Sequence, residues 1–260
     1  MIDGYDITVS ASEKVNVWWR SDEYVIHESA RRGDYIGIED SDALNAYRPL
    51  EEAPDLFLKF AKLHEEPDFD RAALAWSRQY GLPGRLVNTV ELGWFQEEAS
   101  RAWGILKMYE AALKRDTQVM WSFLDSYLNG MLDFEFWLDE DNISENYLLR
   151  LALSEPARLV EDTVNEHCRQ TLVVEGSQYA ADPTKVKGVW EFENLLGAMY
   201  LQMYWLMASG GDDVSLCGYC GQIISLARPY PEGRKRRQDR KHCDDACRQA
   251  HHRSKKRASM

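Results

Sequence analysis

Four cysteines near the C-terminal end constrain this chain more than any other feature. Cys217 and Cys220 form a C-x2-C pair, Cys243 and Cys247 form a C-x3-C pair, and 22 residues separate the two. A tetrahedral zinc ion needs soft donors gathered from two short local clusters, and four of the five cysteines fall within 31 residues. Gly218 and Gly221 flank the second thiol, leaving the backbone free to curl round a metal and turn amide N–H groups toward the thiolates. The expectation is a single structural Zn2+ held by Cys217, Cys220, Cys243 and Cys247. Four thiolates close the shell, which leaves no open position for zinc catalysis.

Local pattern around these residues predicts the shape of the module. Cys217-Gly218-Tyr219-Cys220-Gly221 reads as a knuckle at a hairpin turn, and Gln222 to Ala227 reads as the following strand. Cys243 and Cys247 stand at i and i+4, on one face of a starting helix, with Asp244 and Asp245 in its first turn where carboxylates favour the helix dipole. Knuckle, hairpin and helix together predict a small treble-clef-like fold. His242 and His251 read as solvent-facing or phosphate-contacting, since four cysteines already satisfy the metal. The 44 residues from Cys217 to Met260 hold too little core to fold alone, so metal binding, on the order of 10 kcal/mol, is expected to supply most of the folding energy.

Charge divides the chain at the same place. From Cys217 onward there are 12 Lys and Arg against 4 Asp and Glu; before it there are 19 against 39, within totals of 31 and 43 and a net charge of −12. An acidic body thus carries a basic tail, which points to an anionic partner for the tail alone. One basic block, Arg234, Lys235, Arg236, Arg237, Arg240 and Lys241, precedes the predicted helix. A second, Arg248, Arg253, Lys255, Lys256 and Arg257, follows the ligands along and beyond it. Phosphate contact by these residues predicts salt-dependent binding of nucleic acid, double-stranded DNA foremost. The alternative is an interaction module whose basic finger docks on an acidic protein surface, its own N-terminal domain included.

The run from Arg240 through Lys241-His242-Cys243-Asp244-Asp245-Ala246-Cys247 to Arg248-Gln249-Ala250 resembles the R-K-[YHF]-C-S-D-x-C-R-x-A ending of small bacterial zinc modules. More distantly, the layout resembles the CGNR zinc-finger proteins of actinobacteria, although Arg248-Gln249-Ala250 stands where that tetrad would continue after Cys247. That resemblance implies a helical, ligand-sensing-like domain followed by a DNA-binding finger, and hence a bacterial transcriptional regulator with a sensor or dimerisation domain.

The remainder predicts a mainly α protein: residues 1–209 as a helical bundle with a β-rich beginning, 210–216 as a linker, and 217–260 as the zinc module. Asp6–Val9 and Val15–Trp18 alternate as strands, and Tyr24–Ile26 pairs with Tyr35–Ile38 through Arg32-Gly33-Asp34. Helices are expected from Pro54 to His64, from Asp68 or Asp70 to just before Gly81, and from Thr89 onward. In the last of these, Leu92, Phe95, Ala99, Ala102, Leu106, Tyr109 and Leu113 make one apolar seam. Trp94 and Trp103 widen it, which suits an intramolecular bundle better than a dimer coiled coil. Further helices are expected over Thr117–Leu128, Ser144–Leu153, Glu155–Leu172 (with Ser154 as cap) and Val189–Ala208. Cys168 reads as a buried inert thiol, and most of the tryptophans as core.

No signal peptide or membrane-length apolar run is evident, since the run from Leu195 to Ala208 is short and carries Gln202; a cytoplasmic protein without a membrane partner is expected. The body shows no P-loop, dinucleotide glycine pattern or zincin motif, and the Asp133–Asp141 acidic cluster lacks calcium-loop spacing. The expected protein is therefore a non-enzyme, with a homodimer and an effector compatible with its layout.

Overall fold

Short antiparallel strands open the described chain where β-branched and aromatic residues such as Trp18, Val25, Ile26, Tyr35 and Ile36 cluster. The structure, a computed structural model, describes residues 16–29, 33–38, 44–53, 55–84, 87–131, 144–174, 186–208, 214–217, 219, 223–225, 242 and 245–258. Strand β1 (Trp18–Arg20) pairs with β4 (Asn45–Tyr47), placing Trp18 opposite Tyr47. Strand β2 (Val25–His27) pairs with β3 (Tyr35–Gly37), placing Ile26 opposite Ile36, so the predicted hairpin forms. Asn16 takes a φ of 67°, and this turn delays the first described strand to Trp18. Asp6–Val9 lies outside the described residues.

A third strand, β5 (Thr89–Glu91), joins the free edge of β3, with Val90 opposite Ile36. The helix expected from Thr89 therefore starts at Leu92 instead. Three residues of ladder pairing, with Val90 buried, outweigh one more turn of helix.

The helices follow their local signals closely where those signals are caps. A short helix α1 (Pro49–Glu52) precedes the helix expected to reach His64, which forms as α2 (Leu56–Ala61) running on into a 3-10 turn at Lys62–Glu65. Helix α3 (Phe69–Tyr80) begins where Asp68 accepts the Arg71 N–H at 3.2 Å. It ends at Gly81, whose φ of 87° favours glycine and whose added Cβ would strike the Trp19 carbonyl. Helix α4 (Leu92–Lys114) turns through Arg115 and Asp116, which accepts the Val119 N–H at 3.1 Å, into α5 (Thr117–Met131).

Helix α6 (Glu145–His167) corrects the sequence reading. It is capped by Ser144 but runs unbroken through Pro156, where two helices had been expected. The Ser154 hydroxyl donates to the Leu151 carbonyl and caps nothing. Proline forfeits one helical hydrogen bond, yet Leu148, Ala152, Pro156, Val160 and Val164 form an unbroken buried row at steps of four. That row packs on α4 and on α7 (Leu195–Ala208), and its burial holds the helix together.

Strand formation also displaced two predicted helix segments. Cys168, expected in a helix reaching Leu172, begins β6 (Cys168–Val174), which pairs with β7 (Val186–Phe192). The helix expected from Val189 consequently begins at Leu195. Valines at 173, 174, 186 and 189 suit a pleated ladder. The Cys168 thiol is half-buried and donates to the Gly197 carbonyl at 3.4 Å; burial pushes its pKa up to about 12, in keeping with an inert thiol.

The seam of α4 is covered within the chain, by α2, α3, α5 and α6, while Leu113 at its end stays exposed. Phe95 is its centre, with ring centroids 5.5 Å from Phe60, 5.8 Å from Phe69 and 5.7 Å from Trp76. Trp18 and Trp76 are buried, and Trp94, Trp103, Trp190 and Trp205 pack against the same core. Helix α7 is buried on most faces, and its Gln202 joins two helix ends. Its Oε1 accepts the Phe57 N–H at 3.1 Å and its Nε2 donates to the Ala53 carbonyl at 2.7 Å. Gln202→Leu strands both backbone groups and is expected to lower the unfolding free energy by about 1–3 kcal/mol, read from urea denaturation midpoints. An unchanged midpoint would remove this bridge from the account. No described helix is long and apolar enough to cross a membrane.

Candidate zinc module and the cleft of the helical body

Described structure of the candidate module begins inside the stretch read as a linker. Strand β8 (Val214–Leu216) pairs with β9 (Ile223–Ser225), Leu216 lying opposite Ile223. Cys217 follows β8 directly and is buried, 3% exposed, whereas Tyr219 at the turn is 52% exposed. Helix α8 (Asp245–Ala258) then carries half-buried Cys247 in its first turn. One predicted ligand thus ends a strand of the hairpin and another opens the helix. Cys220 and Cys243, like the acidic cluster of Asp133–Asp141, lie outside the described residues. The thiol donor set and the shielding of Cys217 from water suit zinc.

The basic residues divide likewise. Arg234, Lys235, Arg236, Arg237, Arg240 and Lys241 lie outside the described residues. Arg248 and Arg253 are exposed on α8, Arg248 pairing with Asp245 at 3.1 Å, and Lys255 and Lys256 stand farther along the same helix.

The two histidines depart from the sequence reading. His242 and His251 are both half-buried, with ring centroids 4.9 Å apart and His242 Nε2 lying 2.6 Å from His251 Nδ1. One of these nitrogens must donate and the other accept. This contact places His242, next to Cys243, against the helix turn that follows Cys247, a proximity that i, i+4 spacing along one helix does not reveal.

The hairpin is tied to the body. The Ile223 N–H donates to Glu110 Oε1 at 2.8 Å, and Ile223 itself joins the main apolar core. Glu110 is buried on α4, its Oε2 lying 3.7 Å from Lys107 Nζ. A carboxylate accepting a backbone N–H beside an ammonium makes a charge-assisted attachment.

Twelve residues back along α4, on the order of 18 Å at 1.5 Å per residue, the same helix forms one wall of a cleft. The cleft holds about 1320 Å³ between the β2–β3–β5 sheet, the first turns of α4, the end of α6 and the start of α7. Each wall contributes polar groups. His27 and Tyr35, paired across β2 and β3, stack at 4.8 Å with their planes 14° apart. Helix α4 contributes Trp94, Glu98 and Arg101, and α6 contributes Thr163, Glu166 and His167.

At the junction of α6 and α7, Asn194 Oδ1 accepts the Gly197 N–H at 2.8 Å, so its Nδ2 donates to His167 Nδ1 at 3.1 Å. The ring proton of a neutral His167 then sits on Nε2, 3.8 Å from Glu166 Oε1. Gly197 is required here because an added Cβ would come within 2.9 Å of the His167 Cβ and carbonyl oxygen.

Glu98 is the unusual member of the cleft. It is 5% exposed; Oε1 pairs with Arg101 Nη1 at 3.1 Å, and Oε2 is buried with no hydrogen-bond partner among the described residues. Burial raises the pKa of its carboxyl above the ordinary value, against the opposing pull of the Arg101 charge. Sequence reading missed this cleft because its lining residues run from position 27 to position 196 and share no motif. The only signal was a glutamate, Glu98, next to Ala99 of the apolar seam. Comparison with known protein families, characterised proteins and solved structures finds no match to the chain.

Proposed function

We propose that this protein binds double-stranded DNA through a basic, zinc-stabilised C-terminal module and acts as a cytoplasmic bacterial transcriptional regulator without catalytic activity. The observation that carries this reading is the cysteine spacing, with Arg and Lys blocks on either side of the second pair, in a chain whose remaining residues are strongly acidic. Cys217, Cys220, Cys243 and Cys247 would hold Zn2+ in a treble-clef-like arrangement. The ion supplies cross-links that stand in for a core the module lacks. Arg234, Lys235, Arg236, Arg237, Arg240 and Lys241, in the sequence before α8, would then meet phosphates, together with Arg248, Arg253, Lys255 and Lys256 from the helix itself. The body serves as a sensor or dimerisation domain. A homodimer suits this reading, because one module alone covers a small footprint on DNA.

Affinity of the zinc-loaded protein for generic duplex DNA is expected to fall steeply with salt, with a log–log slope of several units. Replacing Arg236 and Arg237 together with Ala should leave zinc bound, weaken binding on every sequence by about tenfold or more, and reduce the slope by about 2. Unchanged binding would remove these two residues from the phosphate contacts. No binding at low salt would favour the second reading, a module that docks on acidic protein surface. The hydrogen bond from Ile223 to buried Glu110 supports that alternative, since the hairpin already rests on the acidic body.

A further inference from the structure

We propose that the cleft between the β2–β3–β5 sheet and helices α4, α6 and α7 is a binding site for a small organic cation: an ammonium or amidinium group on an apolar, preferably aromatic, body. Glu28, Glu91, Glu98 and Glu166 line the cleft, and Arg101 is the one guanidinium or ammonium among its described lining residues. A concave surface with carboxylates of one sign and low-dielectric walls concentrates cations.

Glu98 is almost wholly buried, and one of its carboxylate oxygens lacks a partner among the described residues. A buried, half-satisfied carboxylate costs stability unless a donor arrives, and Arg101, with 43% of its side chain exposed, reaches only the other oxygen. Glu98 lines the cleft, so a cation held there would offset the charge of this carboxylate. The same group holding an anion would meet repulsion from four carboxylates.

Trp94 and the stacked His27–Tyr35 pair offer flat π surfaces, and Leu196 lies at the start of α7. Such rings attract a cation and pack against a planar apolar group.

Binding is testable on the full-length protein without DNA, so its failure and the failure of the DNA reading are separate results. Phenethylammonium and phenylacetate are matched probes that differ in charge, and titration calorimetry reads both. Phenethylammonium is expected to bind in the millimolar range or tighter, with phenylacetate at least about tenfold weaker. Glu98→Gln keeps the shape and should weaken phenethylammonium by about tenfold or more, while its own melting temperature stays level or rises because a buried charge is gone. That combination separates a ligand contact from a structural role, which would lower the melting temperature. Equal binding of the two probes, no binding of phenethylammonium, or undiminished affinity in Glu98→Gln would each overturn the proposal.

Discussion

Cys217→Ser is expected to reduce zinc in the purified protein from about one ion per chain to nearly none, and to abolish DNA binding with it. A serine hydroxyl stays protonated where a thiolate would bind, so the shell drops to three ligands. Structural zinc contributes on the order of 10 kcal/mol in small modules, far more than hairpin β8–β9 and the contacts of α8 can replace. The module should therefore lose its structure and become cleavable by trypsin at its many Arg and Lys residues. The helical body should keep a cooperative melt, because its core closes around Phe95 and α7. Cys168→Ser is the control: that thiol lies on β6 against the Gly197 carbonyl, and its loss should leave the zinc content unchanged. Full zinc occupancy in Cys217→Ser, measured by elemental analysis, would refute the ligand assignment.

Phe95→Ala should cost the body about 3–5 kcal/mol, the range for deleting a fully buried aromatic ring. The ring is 0% exposed and meets Phe60, Phe69 and Trp76 in edge or tilted geometry, so truncation loses aromatic contacts together with apolar burial and leaves a cavity lined by rigid neighbours. Leu113→Ala, at the exposed end of the same seam, should cost less than about 0.5 kcal/mol. Urea denaturation of the two variants measures the contrast. If Phe95→Ala cost no more than Leu113→Ala, the seam would not be the body's central packing element. Zinc content should be the same in both, since neither side chain belongs to the module.

Those two residues show how far periodicity carries a sequence reading. Phe95 and Leu113 belong to one repeating pattern and look alike there. Only the positions of α2 and α3 make the first a core residue and leave the second at the surface. Gln202 makes the same point for polar groups. Sequence shows it as an interruption in an apolar run; the fold turns it into a bridge between the ends of α1 and α2.

What the sequence by itself determined is local. Asp68 capping α3, the positive φ of Gly81 that ends it, Ser144 opening α6 and the β2–β3 hairpin rest on backbone conformation or on pairing between chain neighbours, and all appear where the pattern placed them. The cysteine spacing and the charge division belong to the same class, and they carry the functional proposal. Tertiary structure decided the rest. Strands β5 and β7 took the first residues of two expected helices because ladder pairing outweighs propensities of about a kcal/mol or less per residue, and α6 crossed Pro156 because a continuous buried row offsets the roughly 3 kcal/mol that a mid-helix proline costs. The cleft, with Glu98 half-satisfied in its wall, exists only where four distant segments converge. No local interaction encodes such convergence, which is why it left no mark on the sequence.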